Sequence, residues 1–178
     1  MKHLQAKHLA LCALFAALTA VCSQIQIPLP AIPINLALFA VHLCAALLAP
    51  RYAALSMAAY ILLGAVGVPV FAGLKGGIAV LFDKTGGYII GYLLSALLTS
   101  WLIHRKESNF LRSCLAMVAG VAVCYVFGTV WFMVLTGTPL WTSLTWCVLP
   151  FLPGDAVKIL LAAFLAKRLQ VPMRRMLA

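Results

Sequence analysis

Two side chains in this sequence stand out for chemistry: Asp155 and Lys158, within "FLPGDAVKIL" at residues 151–160. The run before them, Ser113 to Gly154, contains no Asp, Glu, Lys or Arg. A carboxylate accepts hydrogen bonds from N–H groups, and an ammonium donates to a carbonyl. Three residues apart on a helix, the two share one face. Together they suit a neutral group that presents both an N–H and a C=O, such as a urea or an amide. Pro153 fits the first turn of the helix and Asp155 suits its positive end. A capping acid with a local ion pair is the other reading of the same residues. The cost of placing a charge in a span weighs against it: about 2.5–3.5 kcal/mol at the centre, with Lys158 more than a turn inside. Such residues normally face a bundle interior or a polar cavity.

A second cluster reads Lys84-Thr85-Gly86-Gly87-Tyr88. It opens an apolar helical stretch, where free N–H groups and the helix dipole favour an anion. Lys84 adds a full positive charge at the same place. The preceding segment, rich in glycine from Gly64 onward, holds Gly73, Gly76 and Gly77 and is too broken for a stable helix. Non-helical backbone at membrane depth requires burial in protein or a cavity that solvates it. The expected form is a re-entrant or capping loop whose glycines let backbone approach a ligand. Tight turns with a snorkelling Lys84 are the alternative, and Lys75 and Asp83 read as solvated loop charges. Phe71, Tyr88, Phe151 and Trp146 supply apolar and aromatic flanks. The two clusters together describe a site for a small acid with a polar cyclic head.

The elements that must position these residues follow from composition. The 178 residues are 65% hydrophobic and 9% charged, where soluble domains run about 45–50% apolar and about 25% charged. The natural solvent for most of the chain is lipid. The net charge of +10 does not indicate nucleic-acid binding, because the basic residues sit singly or in pairs between apolar runs. The six cysteines form no CxxC pair and no metal-ligand spacing with the four histidines, so they read as packing residues. Neither a cofactor nor a metal is expected. The first apolar run begins like a signal peptide, but further apolar runs follow, so it reads as a retained membrane helix.

The expected fold is an all-α integral membrane protein, a compact bundle of six transmembrane helices in a single domain over residues 1–178. The spans fall at about 8–27, 35–49, 52–68, 86–103, 111–135 and 153–169. With the N-terminus in the cytoplasm, Lys2, Lys7, Arg51, Arg105, Lys106, Arg112, Lys167, Arg168, Arg174 and Arg175 lie inside, ten of the thirteen Lys and Arg. This bias places both termini in the cytoplasm. Lys75, Lys84 and Lys158 fall outside, with Asp83 and Asp155, so the unexplained charges share the outer face.

"LLGAVGVPVFAGLKGGIAVLFDKTGGYIIGY", "PFLPGDAVK" and "IPLPAIPIN" resemble the BioY family, the biotin-binding S components of energy-coupling factor transporters, over nearly the whole chain. The resemblance implies a six-helix protein of the bacterial cytoplasmic membrane that captures biotin on the outer side. Asp155 and Lys158 would then bind the ureido head, the loop with Gly73, Gly76 and Gly77 would close over the ligand, and the "KTGGY" start of span 4 would hold the carboxylate. Many members read Gly-Pro-Thr-Gly-Gly-Tyr where this chain has Asp83-Lys84-Thr85-Gly86-Gly87-Tyr88, so the role of Lys84 rests on its charge alone. Members commonly carry Thr and Gln where this chain has Asn35 and Ala37; Asn35 keeps a polar group there. Ala13–Ala17 and Ala16–Ala20 have the AxxxA spacing that permits close helix approach in lipid, and resemble the surface on which S components dock their coupling subunit.

The chain has no GxxxxGK[ST] motif, so active transport needs partners. The resemblance names one coupling membrane subunit and two ATPase subunits. An S component for another vitamin and an intramembrane enzyme are the rival readings. Against the enzyme, the only acids are Asp83, Glu107 and Asp155, and no nucleophile–base pair stands out.

Overall fold

The computed structural model describes residues 6–29, 31–105 and 109–177. Lys2, Lys106 and Glu107, weighed above, lie outside the described residues. Eight helices run through the described chain: α1 (Ala6–Gln24), α2 (Ala37–Leu47), α3 (Pro50–Ala65), α4 (Ile78–Leu81), α5 (Gly86–His104), α6 (Phe110–Thr136), α7 (Leu140–Cys147) and α8 (Leu152–Leu177). A short antiparallel ribbon joins α1 to α2, with β1 (Gln26–Ile27) and β2 (Ile34–Asn35) pairing Gln26 with Asn35. A helix overlaps each of the six expected stretches, and α4 and α7 are additional; α2 and α3, of 11 and 16 residues, are shorter than a full span needs.

The helix ends follow local chemistry. Pro50 opens α3, where its missing N–H costs nothing. The Asn109 side chain caps α6 by accepting from the Arg112 N–H at 2.9 Å. Gly137, at φ 68°, closes the same helix in the left-handed region.

Among the described residues three helices, α1, α5 and α6, are long and apolar enough to cross a membrane. The pair α7 and α8 bends by 50° at its break and passes the same test as a unit, as a broken span or a re-entrant loop. Exposed Val126, Val130 and Val134 repeat one turn apart on α6. An apolar stripe of this kind suits lipid contact.

The bundle closes around α2, of whose eleven residues ten are buried. It packs on α1, α3, α5 and α8. The pairing of α5 with α6 depends on small residues at the crossing. A Cβ at Gly128 would stand 2.4 Å from the Tyr88 ring, and one at Gly120 would stand 2.1 Å from the Thr99 hydroxyl. Such contacts let helix backbones approach closely in lipid, where apolar surface alone gives no drive to associate.

The alanine pattern on α1 divides. Ala13 and Ala17 are exposed, whereas Ala16 is 2% exposed and Ala20 half-buried. Ala16 therefore packs inside the bundle and is not part of an outward surface. The spacing of four puts Ala13 and Ala17 on one face, and Ala16 lies round the helix from them.

Candidate functional site

α8 begins directly after the bend from α7, within "PFLPGD". The Asp155 N–H donates to the Phe151 carbonyl at 2.8 Å, which fixes the first turn and turns Asp155 inward. One turn on, the Lys158 Nζ meets Asp155 Oδ1 at 2.7 Å. Both are buried, Asp155 to 3% exposure and Lys158 to 8%. The second carboxylate oxygen, Oδ2, accepts a short hydrogen bond from the Tyr125 hydroxyl on α6. The acid is thus held from two sides, by an ammonium of its own helix and a phenol of another.

Asp155 and Lys158 line a cavity of about 270 Å³, just below the roughly 300–1,000 Å³ typical of small-molecule sites. Four of the five tyrosines, Tyr60, Tyr88, Tyr92 and Tyr125, are in its wall. Asn35 joins them: its Oδ1 accepts from the Ala37 N–H at 3.1 Å and from the Tyr92 hydroxyl at 3.4 Å. The Tyr88 hydroxyl pairs with Thr129 at 3.0 Å. Phe71, Ile32, Leu38 and Phe151 supply apolar wall. Each tyrosine thereby offers a flat apolar face with a polar tip, a combination suited to gripping a ring with polar substituents.

Lys84 and Thr85 line the same cavity, beside Asp83. Asp83 organises this turn. Its carboxylate accepts from the Lys84 N–H at 2.7 Å, and its carbonyl accepts from the Gly86 N–H at 2.9 Å and the Trp131 indole at 3.1 Å. Asp83 is a turn organiser here, beyond the solvated loop charge expected from sequence.

The glycine-rich segment folds as a tight hairpin. Phe71 and Lys75 pair across it, Gly73 and Leu74 take positive φ of 75° and 56°, and α4 follows. The hairpin is tied to the end of α1. Ser23 Oγ donates to the Val70 carbonyl at 2.6 Å, and Gln24 Nε2 donates to the carbonyls of Val70 and Phe71 at 3.2 and 3.1 Å. The Leu74 N–H returns a bond to Gln24 Oε1 at 2.9 Å. Buried Phe71 rests on Gly64, where a Cβ would come within 2.0 Å of the ring.

Of the residues singled out from sequence, Asp155, Lys158, Lys84, Thr85, Tyr88, Gly73 and Asn35 line one cavity. Gly76, Gly77, Gly86 and Gly87 are absent from its walls, and the local geometry of each gives the reason. A Cβ at Gly86 would meet the Leu81 carbonyl at 1.8 Å, one at Gly87 the Trp131 side chain at 2.3 Å, and one at Gly76 the Val68 carbonyl at 2.6 Å. These three allow close approach within the protein. Gly77 turns the chain at φ 99° and donates its N–H to the Gly64 carbonyl at 2.7 Å. The amide of Gly86 is likewise already engaged, and the members of this cluster that line the cavity are Lys84, Thr85 and Tyr88.

Tyr92, Tyr125 and Gln26 also line the cavity and were not singled out from sequence. Tyr125 had one available signal. It is the sole Tyr in the charge-free run from Ser113 to Gly154, and a buried phenol needs a hydrogen-bond partner. Among the described residues no group of three or more His, Cys, Asp or Glu could hold a metal ion.

An apolar helical bundle whose buried ion pair faces a ligand-sized cavity defines a membrane protein built to hold a small polar molecule. The chain belongs to the BioY family, which matches residues 1–175. It is 37% identical over 167 residues to the probable biotin transporter BioY of Pyrococcus horikoshii, covering 94% of this chain and 98% of that one. It is 38% identical over 157 residues to the biotin transporter BioY of Thermotoga maritima, covering 88% and 92%. Among solved structures, the crystal structure of the S-component for biotin from an ECF-type ABC transporter superposes with a TM-score of 0.86 at 27% identity, over 94% of this chain and 95% of that one.

Proposed function

We propose that this protein captures biotin at the outer face of the membrane and delivers it inward as the S component of an ECF-type transporter. The observation that carries the proposal is the buried Asp155–Lys158 pair, 2.7 Å apart, in the wall of the 270 Å³ cavity. A ureido ring presents two N–H donors and one carbonyl acceptor. Asp155 accepts the former and Lys158 donates to the latter, with Tyr125 holding the carboxylate in place. The aromatic and apolar wall takes the ring edge and the aliphatic chain. Lys84 and Thr85 receive the carboxylate.

The chain reads as a single membrane domain with six helices in the bundle. Both termini face the cytoplasm on the count of basic residues. Ala13 and Ala17 are the exposed part of the alanine pattern on α1 and fit the docking face for a coupling membrane subunit. Two ATPase subunits supply the energy, and tilting of the bundle carries the ligand inward. Binding and release need no bond to be made or broken in biotin, so the protein works as a transporter component and not as an enzyme.

Calorimetric titration of biotin into detergent-purified protein tests the proposal. Biotin binds with one-to-one stoichiometry, and Tyr125→Phe weakens it about tenfold, for one lost charge-assisted bond to Asp155. Biotin methyl ester binds more weakly than the free acid, and Lys84→Ala closes that gap. No bound biotin in a well-folded sample refutes the proposal.

A further inference from the structure

A second cavity, of about 560 Å³, adjoins the first. Leu29, Ala31 and Lys84 line both spaces. Leu29 and Ala31 come from the connection between β1 and β2, and Lys84 from the turn before α5. The residues of the second chamber alone come from α6, the α6–α7 connection, α7 and the bend before α8: Phe132, Thr136, Thr138, Thr145, Trp146 and Pro150. Asp155 and Lys158 are not among its walls. Lys84 therefore stands between the chamber that holds the buried ion pair and an open groove walled mainly by apolar surface, with three threonines and an indole among its residues.

A site that ends at the carboxylate needs only Lys84 and its neighbours to close it. Here the space continues past Lys84. We infer that the second chamber admits the tail of biotin amides, in which the valerate carboxyl is joined to the amine of an amino acid, so that the protein binds such conjugates as well as the free acid. The inference rests on the proposed biotin reading of the first chamber.

The chemistry of the walls suits that tail. An amide N–H needs an acceptor. The hydroxyl of Thr145 donates to the Trp141 carbonyl at 2.9 Å, which leaves its oxygen lone pairs available to accept; that of Thr136 donates to the Phe132 carbonyl at 2.7 Å and is also bonded to the Thr138 hydroxyl at 2.8 Å, which leaves it one further lone pair. Phe132 and the half-exposed Trp146 supply apolar surface for the methylenes of a lysine side chain. Lys84, at the junction, offers a positive charge to the carbonyl dipole of the amide in place of the free carboxylate. An amino-acid tail also restores an anion of its own beyond the amide.

The test uses full-length purified protein and three ligands, biotin, biotinamide and ε-N-biotinyl-lysine, by calorimetry or competition with labelled biotin. The lysine conjugate binds within about tenfold of biotin, a difference of about 1.4 kcal/mol. Thr145 is exposed on α7, so Thr145→Trp fills the chamber without entering the core. It weakens the lysine conjugate by about tenfold or more while biotin binding stays unchanged. Thr138→Phe, from the other side of the chamber, gives the same selective loss. Biotin binding without detectable binding of the lysine conjugate overturns the inference, as does equal binding of the conjugate to wild type and to both filled variants. Failure of biotin itself to bind overturns the reading beneath it, and so is told apart from failure of the extension.

Discussion

Removing the charge of Asp155 separates two roles that one ion pair can have. In Asp155→Asn the shape of the side chain is kept, and Lys158, 8% exposed, loses its counter-ion at 2.7 Å. Breaking a buried pair from one side costs about 3–5 kcal/mol, because the remaining charge stays desolvated. Both groups face a cavity, so the lower end applies. For a chain of this size about 1 kcal/mol corresponds to roughly 2–4 °C in Tm, and the apparent melting temperature should fall by roughly 6–12 °C. The double variant Asp155→Leu with Lys158→Met removes both charges at similar volume. Such replacements of a buried pair are commonly neutral or stabilising, so its melting temperature should return to that of the wild type or exceed it.

Binding should move the other way. Each lost hydrogen bond to a charged group costs about 1.5–3 kcal/mol, and the double variant loses both charged partners of the ureido ring. Its affinity for biotin should fall by at least about a hundredfold, despite its recovered stability. The assay is a thermal ramp in detergent read by tryptophan fluorescence, at one fixed heating rate because membrane proteins can unfold irreversibly. Titration of biotin into the same samples completes it. If the pair were only a local cap, the double variant would recover stability and binding together. That result would refute the ligand-binding role. An Asp155→Asn protein as stable as the wild type would refute the burial argument itself.

Gln24 ties the glycine-rich hairpin to α1 through three bonds, two donated to Val70 and Phe71 and one accepted from Leu74. Gln24→Ala should therefore speed biotin dissociation by tenfold or more, about 1.4 kcal/mol, with a smaller change in association; stopped-flow rates that match the wild type would show that the hairpin does not hold the ligand. His42 on α2 is fully buried, and neither ring nitrogen has a hydrogen-bond partner. An unsatisfied buried group costs about 1–3 kcal/mol, so His42→Leu should raise the melting temperature by several degrees, and a lower one would show that the ring makes a bond this packing conceals.

What could be read from the sequence followed the scarcity of charge. With only 9% of residues charged, each acid or base in an apolar run needs a reason; Asp155, Lys158 and Lys84 stand out on that ground, and all three line one cavity. Tyrosine gives no such contrast. In an apolar span it reads as packing, so Tyr92 and Tyr125 do not stand out in the sequence although both reach the cavity. Glycine misled in a different way. Gly86 and Gly87 do permit close approach, but to Leu81 and Trp131, and a glycine does not state whether its neighbour will be ligand or protein. The eight residues of α7 lie between "TGTP" and "PFLPG" and read as part of a loop, because so short a run has little periodicity to show. The alanine spacing on α1 was half informative, since frequent alanine meets the AxxxA pattern on inward and outward faces alike.

The shortness of α2 also has a physical explanation. A helix of eleven residues is about 16 Å long, roughly half of a hydrocarbon core about 30 Å thick. A full-length helix at this central position would occupy the middle of the bundle from one side to the other. α2 instead starts at Ala37, and Asn35 and Leu38 beside its first residue line the cavity. The ligand space thus lies where a longer α2 would continue. The chain leading to it pairs with itself as the β1–β2 ribbon, Gln26 with Asn35 and Ile27 with Ile34. Burial of α2 on every side makes this arrangement stable, because a half-length helix facing lipid would leave its end groups unsatisfied. A bundle of apolar helices can therefore hold a polar ligand without a channel through it: one helix stops short, and the tyrosines and the ion pair of its neighbours close around the gap.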